Sequence, residues 1–164
     1  MKKILPKKLF FIDGFTLIEL LVVMTIIGIL FGIGIAQYMN FNRSQILEQA
    51  AQDLKNNLRL AQTKAINGEK PRGCISLNGY RVKFFSGNPD YYILVAVCDG
   101  TEMTGLEAKY NLPLVIKFNP LPSPSQILFK VLAQGTDLEN DLAITLAAFG
   151  KTKTIKVTKQ GKIE

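Results

Sequence analysis

Gly14-Phe15-Thr16-Leu17-Ile18-Glu19 opens the stretch that decides how the 164-residue chain is organised. Before it stands a short basic leader, Met1 to Asp13. After it an apolar run continues to Ala36, and Glu19 is its one ionisable group. The 22 residues from Phe15 to Ala36 suffice to span a hydrocarbon core about 30 Å thick. A carboxylate there needs a reason, because an ionised side chain at the centre of a membrane helix costs about 2.5–3.5 kcal/mol on insertion scales. Lys2, Lys3, Lys7 and Lys8 precede the apolar run, which predicts a cytoplasmic N-terminus and a translocated C-terminal part. A secretory signal peptide would place its cleavage site beyond a shorter apolar region. Gly14 lies on the near side, so cleavage there would leave Phe15 as the new N-terminus and keep the helix.

Gly-Phe-Thr-Leu-Ile-Glu-Leu-Leu at 14–21, followed by Val-Val-Met-Thr-Ile-Ile-Gly-Ile-Leu at 22–30, resembles the prepilin signature of type IV pilins and type II secretion pseudopilins. The resemblance implies that Gly14 is the last leader residue read by the prepilin peptidase and Phe15 the N-methylated first mature residue. It also implies that Glu19 meets the N-terminal amine of a neighbouring subunit during assembly. The physical chemistry agrees: an amine formed by an adjacent protomer would compensate a costly carboxylate and set axial register. The alternative is a carboxylate that snorkels to the cytoplasmic interface. Gly28, Gly32 and Gly34, with Ala36 behind them, supply small residues for close helix approach or for partial unwinding. Many major pilins carry a Pro near the position of Ala36, and its absence leans towards a minor component.

Beyond Asn42, Leu47, Ala50, Ala51, Leu54, Leu58, Ala61 and Ala65 recur every three or four residues, with charged and polar residues on the other faces. That pattern predicts an amphipathic helix, capped at Asn67-Gly68. One helix from Phe15 to Ile66 would measure about 78 Å. The expected organisation is a leader at 1–14, a transmembrane half-helix at 15–40, an amphipathic half at 41–67, and an antiparallel sheet domain at 68–164. The fold class is α+β, a long helix packed on an antiparallel sheet, as the pilin resemblance also implies.

In the sheet region, Gly73–Leu77 and Tyr80–Phe85 flank Asn78-Gly79, a two-residue hairpin signal. Tyr91–Cys98 reads as a central strand, and Pro113–Phe118 and Ile127–Leu132 as two more. Between those two, the proline-rich 119–125 reads as a stiff exposed connector. Leu142–Phe149 and Thr152–Thr158 form a closing pair turning near Gly150. The helix end at Leu58–Ile66 and the strands after Leu128 resemble the FimT-like minor pilins and GspH-like pseudopilins.

The formal net charge is +7. Four leader lysines and Asp13 account for part of it, leaving sixteen cations against twelve acids, or +4, after Gly14. Much of the basicity is thus an address. There is no His, which removes Ser-His and Cys-His nucleophile pairs and the commonest metal ligand. No cofactor and no metal are expected, and a catalytic role is the least supported class. Cys74 and Cys98 invite a disulfide in an exported domain, closing about two dozen residues for about 3 kcal/mol in the loop-entropy account. Two buried thiols in facing strands are the alternative.

Lys151, Lys153, Lys156, Lys159 and Lys162 gather in the last strand and tail. In FimT-like pilins a basic C-terminal region is associated with DNA uptake, and phosphates would favour such a patch. A solvated edge strand using Lys against edge-to-edge pairing is the plainer reading. Lys151 and Lys153 share a face by period two, and Lys156 would point the other way unless a bulge intervenes. Asp137, Glu139 and Asp141 alternate in a turn region and carry oxygen ligands suited to Ca²⁺, but lack the turn glycine and closing Glu of a calcium loop. Phe84, Phe85, Tyr91 and Tyr92 read as core or sheet-face residues.

The functional expectation is a minor pilin or pseudopilin subunit of a type IV pilus or type II secretion filament. Its partners would be the prepilin peptidase, other pilin subunits and an inner-membrane assembly platform, with DNA as a further candidate. It would be single-pass in the bacterial inner membrane with its C-terminal domain extracytoplasmic. The competing class is a membrane-tethered binding domain that does not polymerise.

Overall fold

The computed structural model describes residues 14–164; the leader, with Lys2, Lys3, Lys7, Lys8 and Asp13, lies outside the described residues. The chain divides into two compact units, 1–40 and 41–164. The helix α1, Leu17–Ile66, supplies residues to both.

In the first unit, every described side chain of α1 is exposed. This part of α1 is long and apolar enough to cross a membrane. Its apolar residues recur all round the helix and not on one stripe, which is the pattern of a helix immersed in an apolar medium. The side chains of Gly34 and Ala36 lie outside the described residues.

In the second unit, the stripe of α1 behaves as its spacing predicts. Leu47, Ala50, Ala51, Leu54, Leu58, Ala61 and Ala65 are all buried. Burying Leu54 and Leu58 fully contributes about 1.5–3 kcal/mol each. The small alanines between them let the backbone of α1 come close to the strands. The helix stops at Ile66, where Gly68 takes a φ of 61°. Its chain reversal lets the Glu69 amide donate to the Lys64 carbonyl at 3.0 Å, closing off an otherwise orphaned acceptor.

Eight strands follow: β1 Leu77–Phe85, β2 Tyr91–Cys98, β3 Thr101–Glu102, β4 Ala108–Asn111, β5 Lys117–Phe118, β6 Gln126–Lys130, β7 Leu142–Ala148 and β8 Lys151–Val157. They form two antiparallel sheets, not one. The larger has the order β3-β2-β1-β6, with β4 also paired to β2, and the smaller has the order β5-β7-β8. One continuous apolar cluster joins the stripe of α1 to the inward side chains of both sheets. The architecture is α+β, the plan of a pilin-like fold.

Two strand expectations are corrected. Asn78-Gly79 is not a hairpin turn: β1 runs straight through it, with a register shift between Leu77 and Gly79. The glycine is required for another reason, since a Cβ at position 79 would stand 2.1 Å from the Phe129 carbonyl oxygen of β6. Tertiary packing against β6 overrides the local turn preference. Pro113–Phe118 is not one strand either; the pairing residues are Ala108–Asn111, on β2, and Lys117–Phe118, on β7. Between them the Ile116 amide closes a turn on the Pro113 carbonyl at 2.8 Å. The β7–β8 pair forms as read, through a turn whose Phe149 and Gly150 both have positive φ.

Asp90, at the start of β2, joins the two sheets. It is buried, and its carboxylate accepts from the Gly87 amide at 3.0 Å, the Phe118 amide at 2.8 Å and the Lys117 ammonium at 3.2 Å. Burial would push its pKa up, but the two amides and Lys117 outweigh burial and hold the carboxyl below its ordinary range.

Candidate functional site

The N-terminal stretch is built from its cap inward. Thr16 precedes the first helical residue, and its hydroxyl accepts from the Glu19 amide at 3.3 Å. Thr-x-x-Glu is the capping-box pattern, so one residue type at 16 and another at 19 serve helix initiation as well. Glu19 sits in the first turn, where a negative charge complements the helix dipole. Its carboxylate is exposed and has no ion-pair partner among the described residues. Gly28 and Gly32 each have open space where a Cβ would stand. Among the described residues nothing occupies the surface that these glycines make available. Thr16 is the residue the sequence reading passed over, although its spacing to Glu19 was the signal.

The C-terminal lysines do not form one open row. Lys151 and Lys153 lie on the same face of β8 as the buried Ile155 and Val157, beyond the edge of the core. Both reach α1: the Lys151 ammonium donates to the Ser44 hydroxyl, and Lys153 pairs with Glu48 at 2.7 Å. Beside them Arg43 lies over the Phe149 ring at 5.4 Å. The hydrogen bond from Lys153, with a second from Gln52, holds the Glu48 carboxyl below its ordinary pKa. Lys162 is paired with Glu164. The tail also covers the far end of β8, where Lys156 and Glu164 exchange backbone hydrogen bonds at 3.2 and 2.9 Å. Lys156 and Lys159 are exposed, and an approaching polyanion would meet those two together with Lys151, whose partner is a neutral hydroxyl.

The remaining candidates resolve as follows. Cys74 and Cys98 are bonded, with Sγ atoms 2.06 Å and Cα atoms 5.6 Å apart, tying the segment after α1 to the end of β2. The Asp137 carboxylate accepts from the Leu128 amide at 2.8 Å, and Asp141 from the Lys159 amide at 3.1 Å. These acids cap backbone groups, and among the described residues no three metal-ligating side chains converge. Phe84 is buried edge-on to Phe118 at 5.6 Å. Phe85 and Tyr91 stack at 4.9 Å on the opposite face of the larger sheet, and Tyr92 stacks on Tyr110 at 5.2 Å.

Residues 13–35 match a family model described as the prokaryotic N-terminal methylation motif. Among curated proteins and among solved structures nothing matches the chain. The chain therefore carries the signature shared by type IV pilins and type II secretion pseudopilins. That signature opens α1 of an α+β body of pilin-like plan. The match covers residues 13–35 and does not extend to the sheets.

Proposed function

We propose that the chain is a non-enzymatic minor subunit of a pilin-type filament, made as a precursor and built into a type IV pilus or a type II secretion filament. In this reading the prepilin peptidase cuts after Gly14, Phe15 is N-methylated, and the second unit lies outside the inner membrane. One observation carries the proposal: an exposed carboxylate with no ion-pair partner among the described residues stands in the first turn of α1, whose part in the first unit is otherwise apolar all round. The new α-amine of a neighbouring Phe15 would neutralise it, and such a pair would exist only between subunits. The open Cβ positions at Gly28 and Gly32 would let neighbouring helices approach closely there.

DNA contact forms no part of the proposal: Lys153 and Lys162 are paired with Glu48 and Glu164, and Lys151 and Lys156 lie on opposite faces of β8 and make no single patch. Mass spectrometry of the mature N-terminus tests the processing step, with N-methyl-Phe15 as the expected first residue. Glu19→Ala tests assembly: the variant should be cleaved and inserted normally but be missing from sheared filaments. Incorporation at the wild-type level would refute the role of Glu19. Cleaved chains that never enter filaments, in the wild type as in the variant, would favour the tethered binding domain.

A further inference from the structure

Along the edge of the second unit, α1 and β4 leave a groove of about 540 Å³. Its wall on α1 is Asp53, Asn56 and Asn57, its floor Tyr92 of β2, and its far side Tyr110 and Asn111 of β4. These residues come from three elements that are distant in sequence. We infer that this groove is a binding site for a neutral, equatorially hydroxylated saccharide, with the Tyr110 ring as its stacking platform.

The platform is rigid. Tyr110 lies nearly parallel to Tyr92, with ring planes 18° apart and centroids 5.2 Å apart. Tyr92 is buried, and its hydroxyl accepts from the Asn57 carboxamide at 2.7 Å. One ring is thus pinned in the core and supports the other. Tyr110 is only half-buried, and it also borders a second depression of about 410 Å³ beside Leu60 and Ala108. A half-exposed ring backed by a fixed one presents apolar surface at little entropic cost.

The rim specifies the ligand's polarity. Carboxamides at 56, 57 and 111 offer both donors and acceptors, and the Asp53 carboxylate offers acceptors. That set matches neighbouring hydroxyls, each of which donates and accepts. Burial pushes the Tyr92 phenol up to about 12, so it stays protonated at any physiological pH. The groove carries no positive field: Asp53 is its carboxylate, and the ammonium of Lys109 is drawn away over the Tyr91 ring at 4.0 Å. A polyanion would find no net positive field. An apolar partner would leave the carboxamides and the carboxylate without hydrogen bonds, which is costly on burial. A pyranose with equatorial hydroxyls combines a flat C–H face for Tyr110 with a hydroxyl rim for the amides. The inference rests on the second unit alone and is independent of whether the chain enters a filament.

The test is a titration of the full chain in a sugar-free detergent, lauryldimethylamine oxide, with cellotetraose and chitotetraose. The readout is the side-chain amide NMR signals of Asn56, Asn57 and Asn111. At least one saccharide should shift these signals saturably below about 20 mM, an affinity in the usual range for a shallow site. Tyr110→Ala should weaken binding about tenfold or more, whereas Tyr110→Phe should stay within about threefold because it keeps the ring. Asn111→Ala, on an exposed residue, should weaken binding about threefold to tenfold without altering the melting transition. Absence of saturable shifts with both saccharides would overturn the inference. So would binding unaffected by Tyr110→Ala, or equal binding of a neutral tetrapeptide. If Tyr110→Ala unfolds the domain, Asn111→Ala decides alone, and wild-type affinity in that variant overturns the site.

Discussion

The two halves of α1 use the same kinds of residue to opposite ends. Between Leu17 and Asn40 the leucines, isoleucines and valines point in every direction and all those described are exposed. Leu17 is 89% exposed and Leu30 64%. Between Phe41 and Ile66 the branched aliphatic residues are fewer, and Leu47, Leu54 and Leu58 keep to one stripe, where Leu54 and Leu58 are 0% exposed. One half is written for an apolar surround and the other for a polar surround with one apolar neighbour. The difference shows that one helix can change its pattern along its length without a break. Here the change falls where Asn40, Asn42, Arg43 and Ser44 replace the continuous apolar run.

The sharpest way to break that comparison is to make one truncation in each half. Leu58→Ala should cost about 3 kcal/mol, since a fully buried leucine loses both transfer energy and packing. Ile27→Ala should leave the unfolding of the second unit unchanged, because Ile27 is 42% exposed and lies in the first unit. Urea titration of the full chain in detergent, followed by far-UV circular dichroism, measures both. Equal losses would show that the two halves do not act as separately stabilised segments.

A smaller effect is expected at Asp90, where the second unit spends a buried charge. Asp90→Asn should cost about 2 kcal/mol at pH 7, since the Gly87 and Phe118 amides lose their ionised acceptor. The folded carboxyl has a lowered pKa. Its contribution is therefore complete above the unfolded value near about 4 and fades as pH falls through the folded value. The gap between wild type and Asp90→Asn should accordingly close in acid. Denaturation midpoints from pH 7 down to pH 2 check the sign, and a gap that widens in acid would contradict it.

The smallest effect is predicted where the two patterns meet. Lys153→Ala should leave the unfolding midpoint unchanged within error, because both members of the Lys153–Glu48 pair are more than 40% exposed and screened by water. A clear loss would mean that this contact supports the stripe of α1 beyond what its geometry provides.

The helix was legible because its period is a local property of sequence. The spacing from Leu47 to Ala65 named the buried stripe residue by residue, and the parity of β8 placed Lys151 and Lys153 opposite Lys156. What sequence could not supply was the identity of distant neighbours. Asn78-Gly79 has strong turn chemistry, yet the Phe129 carbonyl is close enough to make Gly79 a packing residue. The four residues of β4, Ala-Lys-Tyr-Asn, alternate too weakly to stand out beside the more apolar Pro113–Phe118. For the lysines, the residues that engage two of them, Ser44 and Glu48, lie about a hundred positions away. Thr16 was readable in principle, since a cap pattern needs only a threonine and a glutamate three apart.

The clasp between β8 and α1 has a mechanical consequence. Phe149, Lys151 and Lys153 meet Arg43, Ser44 and Glu48 in the same order along both segments. Two residues of strand advance about 6.6 Å and four residues of helix about 6 Å, so the last two rungs keep step. A pull along the axis of α1 would therefore load these rungs together, in shear, instead of opening them one at a time. Contacts that count for little at equilibrium would act in parallel with the buried stripe under tension, just where the second unit begins its hold on the helix.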